Sequence, residues 1–348
     1  MRAALYLAAG SVIVDDVPDP VLVENTDAVV RVVRSCVCGS DLWAYRATFP
    51  RPERSRLGHE FVGVVDQVGT GVRDLRVGDL VVAPFSFADG TCPACAEGLY
   101  TSCPNSGTWG AGTNDGGQGE ALRVPFADAN LVPVPDGSPD LDDASLLSLL
   151  AISDVMATGL HGATMAGVGE GSAVTVVGDG AVGLCAVLAA RTLLGAEQVI
   201  LLSRHESRQE LGRRFGATDV IAERGAAAVE RVRELTAGRG TPHVVEAVGT
   251  PLSWETAIGA VRDGGQIGAV GVPHTTPTIE LLPLLLRNVG VRLGIAPVRK
   301  YMPDLVGHVA SGRIDPGPVF DLTLPLERTA DAYAAMDRRE AIKVALVP

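Results

Sequence analysis

Two textures of apolar spacing divide this chain of 348 residues. Up to about residue 150, short apolar runs alternate with polar positions and are cut by Gly and Pro turns. Residues 28–33 (Ala-Val-Val-Arg-Val-Val) and 61–65 (Phe-Val-Gly-Val-Val) typify them and predict antiparallel β-structure. From Ser172 onward, Val/Ile-rich runs alternate with Ala/Leu/Arg/Glu stretches of helical spacing. Strands are predicted at 173–177, 198–202, 218–221, 243–246, 266–270 and 291–295. Strands alternating with helices in this way specify a doubly wound parallel sheet. Past about residue 296 the rhythm breaks, and 341–347 reads as a closing strand. The opening apolar run is short and soon meets Asp15 and Asp16, so it reads as a first strand and not as a leader. The expectation is an α/β chain with a β-rich first half and a doubly wound parallel sheet in its second half.

Composition narrows the classes. The length allows two cores, and 47% hydrophobic with 20% charged residues is ordinary for a globular protein. The 41 glycines and 4% aromatic content fit many tight turns and close backbone approaches. A formal charge of −12 without any Lys/Arg-rich run argues against a nucleic-acid surface. The absence of an 18-residue apolar run argues against a membrane span. Three of the six cysteines fall within twelve residues, which points to metal in a reducing compartment, the cytoplasm by default, and not to a disulfide scaffold.

Those cysteines lie in Asp89-Gly-Thr-Cys92-Pro-Ala-Cys95, followed eight positions later by Cys103. Two-residue gaps between thiolates suit a closed tetrahedral zinc site, and Asp89 stands where a further cysteine would complete the pattern. A carboxylate also ligates zinc, so Asp89, Cys92, Cys95 and Cys103 are expected to hold a structural ion, with a hard oxygen replacing one soft sulfur.

The predicted strand 173–177 runs straight into Gly178-Asp-Gly180-Ala181-Val182-Gly183 and then into the helical stretch 184–194. Glycines after a strand and before a helix permit a tight turn, close approach to a pyrophosphate and tight helix packing. The helix N-terminus offers N–H groups to phosphate. An NAD site calls for Asp or Glu about 20 residues beyond the motif. Position 203 is serine, followed by Arg204, His205 and Arg208. Guanidinium groups suit a 2′-phosphate, so NADP(H) is expected over NAD(H); solvation of a helix start is the other use of these arginines.

Cys38-Gly39-Ser40-Asp41 and Gly58-His59-Glu60 lie about 20 residues apart in the β-rich half. Together with the cysteine loop and the glycine turn they make the chain resemble, over essentially its whole length, the zinc-dependent medium-chain dehydrogenase/reductase family, the alcohol dehydrogenase relatives. The resemblance implies a GroES-like catalytic domain at 1–155, completed by 296–348, and a Rossmann domain at 156–295. It implies Cys38 and His59 as catalytic-zinc ligands and Glu60 as an adjacent exchanging carboxylate. Asp154, before Thr158-Gly159, takes the place of the third ligand; helix N-capping is the other role open to it. The resemblance further implies that Thr158 packs on the nicotinamide, Ser40 relays a proton and Lys343 lies near the cofactor pyrophosphate. Phe49, Phe85 and Trp109 fall either on substrate-pocket walls or in the core. Cys36 and Cys185 match no ligand position and read as buried small residues, and His161 reads as structural.

The expected activity is hydride transfer between NADP(H) and an alcohol, aldehyde or ketone, with two zinc ions per chain, in a homodimer or homotetramer. Zinc-free quinone or enoyl reductases lack the Cys38/His59 pair. A non-catalytic NADPH-binding protein would have no use for an open metal site, and a Rossmann methyltransferase would lack these ligands.

Overall fold

The computed structural model describes the chain except Pro50, Thr113, Asp136, residues 138–140 and residues 274–277. In chain order its strands are β1 (Arg2–Ala8), β2 (Ser11–Asp16), β3 (Ala28–Val37), β4 (Phe61–Val68), β5 (Leu80–Ala83), β6 (Ser86–Phe87), β7 (Gly107–Thr108), β8 (Ala121–Val124) and β9 (Val132–Pro133). They continue with β10 (Ala173–Val177), β11 (Gln198–Leu202), β12 (Asp219–Ile221), β13 (Thr241–Glu246), β14 (Val261–Ala269), β15 (Gly290–Leu293), β16 (Leu322–Pro325) and β17 (Val344–Val347). The chain forms two compact units, one of Met1–Asp154 with Pro297–Pro348, the other of Val155–Ala296.

In the first unit the main sheet runs β16-β17-β3-β4-β5-β9, with β8 also on β3. Its pairs are antiparallel except β16 with β17. Both sheet faces are covered, which is why β4 opens on a continuous buried run instead of an alternating one. One core gathers Val30, Phe61, Val65, Val81, Leu122 and Trp109; another gathers Tyr6, Val37, Leu57, Tyr333 and Leu346. Strand β3 extends past residue 33, through register shifts at Val29/Val30 and Val32/Arg34, to Val37. These irregularities twist the strand and let it run on to Cys38. Because Ser35 pairs with Phe61, the end of β3 and the start of β4 lie side by side. Cys38 is thereby brought next to His59 and Glu60.

The second unit carries a wholly parallel sheet in the order β12-β11-β10-β13-β14-β15. That is the doubly wound order, whose direction of growth reverses between β10 and β13. Val174, Val176, Val199, Ile200, Val244 and Val245 are buried, as a sheet covered on both faces requires. Strand β14 begins at Val261, well ahead of the predicted 266, because Val261 pairs with Thr241 across a register irregularity. The helix after the glycine turn starts at Ala181, and its last part, Ala189–Leu193, widens into a π-helical turn. No single helix among the described residues is long and apolar enough to cross a membrane.

Candidate functional site

Four side chains meet where β3 ends and β4 begins. One ligand atom from each of Cys38, His59, Glu60 and Asp154 lies within 4.8 Å of all the others. Asp154 Oδ2 is 3.7 Å from His59 Nε2 and 3.8 Å from Cys38 Sγ. The Phe85 amide donates to the Ser153 carbonyl (2.9 Å), which anchors the chain just before Asp154. Phe85 also sets its ring edge-on to His59, centroids 6.4 Å apart.

A second layer orients these groups. Asp41 is buried; its Oδ1 faces His59 Nδ1 at 3.4 Å, and its Oδ2 accepts the Cys38 amide (3.0 Å). Gln118 Nε2 donates to the same oxygen (3.2 Å) and to the Cys36 carbonyl (2.9 Å), while the Tyr333 hydroxyl donates to Gln118 Oε1 (3.1 Å). With Nδ1–H turned to a carboxylate, the Nε2 lone pair faces the cluster, the usual arrangement for a metal-binding imidazole. Asp41 was visible in the motif, but its role was not: nothing in a spacing shows that a helix-opening aspartate points at His59.

Glu60 is 0% exposed, and its Oε1 pairs with Lys343 Nζ at 2.7 Å. Its Oε2 has no hydrogen-bond partner among the described residues. Burial raises the Glu60 carboxyl, Asp154 adds to that, and Lys343 and His59 oppose it. Burial pulls the His59 imidazole down, yet Asp41, Cys38 and Asp154 together carry its proton affinity well above the ordinary value. A surplus of buried acceptors with an orphaned carboxylate oxygen is a site that calls for a cation. Edges of a zinc tetrahedron measure roughly 3.3–3.8 Å from Zn–S and Zn–N bond lengths, which the observed separations fit.

Lys343 adds a buried cation to this layer. At 1% exposure it is sealed in the first unit against Glu60, with Nζ also 5.8 Å from the Phe320 ring. Strand β17 pairs with β3, and this carries the lysine, just before Val344, onto Glu60. Trp109 is core: 2% exposed, edge-on to Phe61 at 5.5 Å and tilted on Phe87 at 4.9 Å. Phe49 is 48% exposed and packs edge-on against Trp43. Ser40 is half-buried at the N-cap of helix Asp41–Tyr45, where its side chain makes no capping bond. Cys36 and Cys185 are buried, and burial pushes the Cys36 thiol well up.

The cysteine loop forms the second cluster. Asp89, Cys92, Cys95 and Cys103 bring their ligand atoms within 4.8 Å of one another, with every cysteine free. Cys92 caps helix Pro93–Ala96, and its Sγ accepts the Cys95 amide (3.5 Å). Asp89 Oδ1 accepts the amides of Thr91 (2.8 Å) and Cys92 (3.0 Å), and Oδ2 accepts Asn105 Nδ2 (2.8 Å). These bonds hold the carboxyl well below its usual range. Burial, with Cys92 beside it, pushes the Cys95 thiol up to about 12. Three sulfurs and one ionised oxygen fit a closed zinc site.

In the second unit Gly178 adopts φ +120°, and a Cβ on Gly183 would meet the Gly178 carbonyl at 2.0 Å. Gly180 is the extended N-cap of the helix that Ala181, Val182 and Gly183 begin, so amide groups face out of the turn. Thr158 is buried in helix Val155–Met165, which also carries His161. Ser203 donates Oγ–H to Asp179 Oδ2 (2.9 Å), Arg208 Nη1 lies 3.5 Å from Asp179 Oδ1, and Arg204 is exposed beside His205. Asp179, a variable position within the glycine motif, carried no expectation from the sequence. Glu246, buried at the end of β13, accepts the amides of Val248 (2.9 Å) and Gly249 (2.8 Å) and so shapes the turn that follows.

Comparison with known proteins agrees with this geometry. Residues 24–136 match the alcohol dehydrogenase GroES-like domain, and residues 181–310 match the zinc-binding dehydrogenase domain. A probable zinc-binding alcohol dehydrogenase of Mycobacterium tuberculosis is 37% identical over 352 residues, an alignment covering 100% of this chain and 89% of that protein. The alcohol dehydrogenase of Thermus sp. ATN1 superposes with a TM-score of 0.92 at 38% identity, over 100% of this chain and 99% of that one. A zinc-binding dehydrogenase of Sinorhizobium meliloti, solved bound to NADP, does so with a TM-score of 0.86 at 26% identity, over 100% and 99%. With its two metal-ligand clusters and its glycine turn on a doubly wound sheet, this chain belongs to the zinc-dependent medium-chain dehydrogenase family, the alcohol dehydrogenase relatives.

Proposed function

We propose that this chain is a zinc-dependent alcohol dehydrogenase or carbonyl reductase that moves a hydride between NADP(H) and a small alcohol, aldehyde or ketone. The observation that carries the reading is the Cys38–His59–Glu60–Asp154 cluster, with His59 and Glu60 buried and Cys38 and Asp154 half-buried, and its unpartnered Glu60 oxygen. Cys38, His59 and Asp154 would hold a catalytic zinc, leaving a fourth position open, while Asp89, Cys92, Cys95 and Cys103 would hold a structural one. The zinc supplies Lewis acidity toward a substrate oxygen, and the dinucleotide supplies or accepts the hydride.

The chain's own groups do the rest. Asp41 fixes the His59 ring so that Nε2 faces the cluster. Lys343 balances Glu60, so one carboxylate oxygen is committed and the other is left to a cation. Ser40, with no capping duty, is the hydroxyl available to pass a proton toward water. Thr158 would pack on the nicotinamide. Gly178, Gly180, Ala181, Val182 and Gly183 would cradle the pyrophosphate, with Ser203, Arg204 and Arg208 at the adenosine ribose. The preference for NADP(H) is supported by a serine, not an acid, at position 203 and by the two arginines after it. The NADP-bound Sinorhizobium relative is in keeping with it. Carbonyl reduction would then be the working direction.

The protein would work in the cytoplasm as a homodimer or homotetramer. Support for self-association is the apolar surface of Leu281, Leu285, Leu286, Leu293 and Ile295, each at least 64% exposed, around the edge strand β15. One experiment tests the function: metal analysis of wild type and Cys38→Ser, with an NADPH-oxidation screen over aldehydes and ketones. Two zinc ions per wild-type chain with turnover, and loss of one ion and of turnover in Cys38→Ser, are expected. One ion per wild-type chain and no turnover would refute it.

A further inference from the structure

In a doubly wound sheet the adenosine end of a dinucleotide lies outside the carboxyl ends of the first two strands. Here these are β10 and β11, and Val177 pairs with Leu202, so Gly178–Asp179 and Ser203–Arg204 leave the sheet side by side. The carboxylate that would accept a ribose 2′-hydroxyl is missing from position 203. One arrives from the other strand. Asp179, between the first two glycines of the turn, reaches across so that its Oδ2 accepts the Ser203 hydroxyl (2.9 Å). Arg208 Nη1 lies 3.5 Å from Asp179 Oδ1 and donates to the Asp179 carbonyl (3.3 Å).

The arrangement is held in place. Ser203 is 3% exposed, its carbonyl accepts Gln209 Nε2 (2.8 Å), and the Asp179 and Arg208 side chains are only 19% and 13% exposed. Arg208 therefore reaches a phosphate only in competition with Asp179, which lies 3.5 Å from its Nη1. Arg204 is exposed and lies outside this pairing.

Resting on the dinucleotide reading above, we propose that Asp179 is the residue that sets the choice between NAD(H) and NADP(H). Its carboxylate supplies the ribose-hydroxyl acceptor that position 203 lacks. The same carboxylate opposes a 2′-phosphate twice, by direct repulsion and by holding Arg208 away from it. The chain thus carries both chemistries in one spot, and its cofactor preference is narrow.

The test measures adenosine fragments as well as turnover. Binding of 2′,5′-ADP and of 5′-AMP is followed by calorimetry in wild type, Asp179→Asn and Asp179→Ser, beside kcat/KM with NADPH and NADH. Removing one anion next to a partly exposed phosphate should tighten 2′,5′-ADP on the order of tenfold, less at high salt. Losing the charged acceptor should weaken 5′-AMP several-fold, and the NADPH/NADH ratio of kcat/KM should rise in both variants. A folded Asp179→Asn protein whose 2′,5′-ADP affinity is unchanged or lower overturns the proposal. Arg208→Gln reads the same coupling without altering Asp179. With its counter-cation gone, Asp179 should exclude 2′,5′-ADP while 5′-AMP binding stays within about threefold; equal losses for both fragments overturn the proposal. The two readings fail separately. A wild type favouring NADH, with a ratio that rises in Asp179→Asn, sinks the NADP preference and keeps the role of Asp179. A wild type favouring NADPH, with a ratio that Asp179→Asn leaves unmoved, does the reverse.

Discussion

Replacing Lys343 by Met tests the claim that Glu60 is held by one buried cation. The two side chains are 1% and 0% exposed and 2.7 Å apart, so neither charge has water to fall back on. Met keeps the length and apolar volume of the lysine stem and removes only the ammonium. Glu60 then loses the partner of Oε1 while Oε2 already has none. Breaking one side of a buried pair costs about 3–5 kcal/mol, because the survivor is left desolvated and unpaired. For a chain segment of some 150–250 residues this corresponds to a fall in Tm of about 6–20 °C. The assay is thermal and urea unfolding of zinc-stripped protein, since a bound cation would itself compensate Glu60. The double variant Lys343→Met/Glu60→Gln removes both charges and should regain about 1–3 kcal/mol relative to the single one. If Lys343→Met unfolds within about 1 kcal/mol of wild type, or the double variant is no better than the single, the ion pair is not what holds Glu60.

Two further outcomes are expected. Asp27 is buried; its burial raises the carboxyl, but Arg123 Nε (2.6 Å) and the amides of Glu24 and Val23 outweigh that and leave it below its ordinary value. A lowered folded pKa gives stability that is present above the unfolded value of about 4 and is lost as pH falls through the folded one. Asp27→Asn should therefore be less stable than wild type at pH 7, with the gap closing below about pH 4 in urea melts; a gap independent of pH would contradict this. At the other cluster, Asp89→Cys should hold zinc longer against a chelator than wild type and show stronger sulfur-to-metal charge transfer with cobalt, because a soft donor replaces a hard one. Faster zinc loss would show that the Asp89 bonds to Thr91, Cys92 and Asn105 matter more than donor softness.

Much of the fold was legible in the sequence because each signal is local. Val/Ile runs alternating with helical stretches give a parallel sheet, and the six predicted strands are all present, with ends shifted where β14 starts early and β15 stops at Leu293. The spacing 89-92-95 pointed to a cluster for the same reason, since metal ligands come from short loops with fixed gaps, whereas Cys38 and His59 were singled out only through the family resemblance; the structure brings both groups together. The Asp89 cluster assembles within a stretch of fifteen residues, so sequence spacing nearly fixes its geometry.

Contacts between distant segments were another matter. The resemblance offered Lys343 only as a basic residue near the cofactor, and the sequence says nothing of which strand β17 joins. Its pairing with β3 places the ammonium on a carboxylate 283 residues away. Trp109 was undecided between pocket and core until Phe61 and Phe87 closed on it. Asp41 and Asp179 were each one letter in a motif; only folding aimed one at His59 and the other across the sheet at Ser203. By itself the sequence determined the kinds of element, because periodicity acts over a few residues, and its motifs carried the resemblance to the family. Tertiary structure alone decided which charges face each other, since a pairing between buried groups depends on strand register and leaves no mark in local spacing.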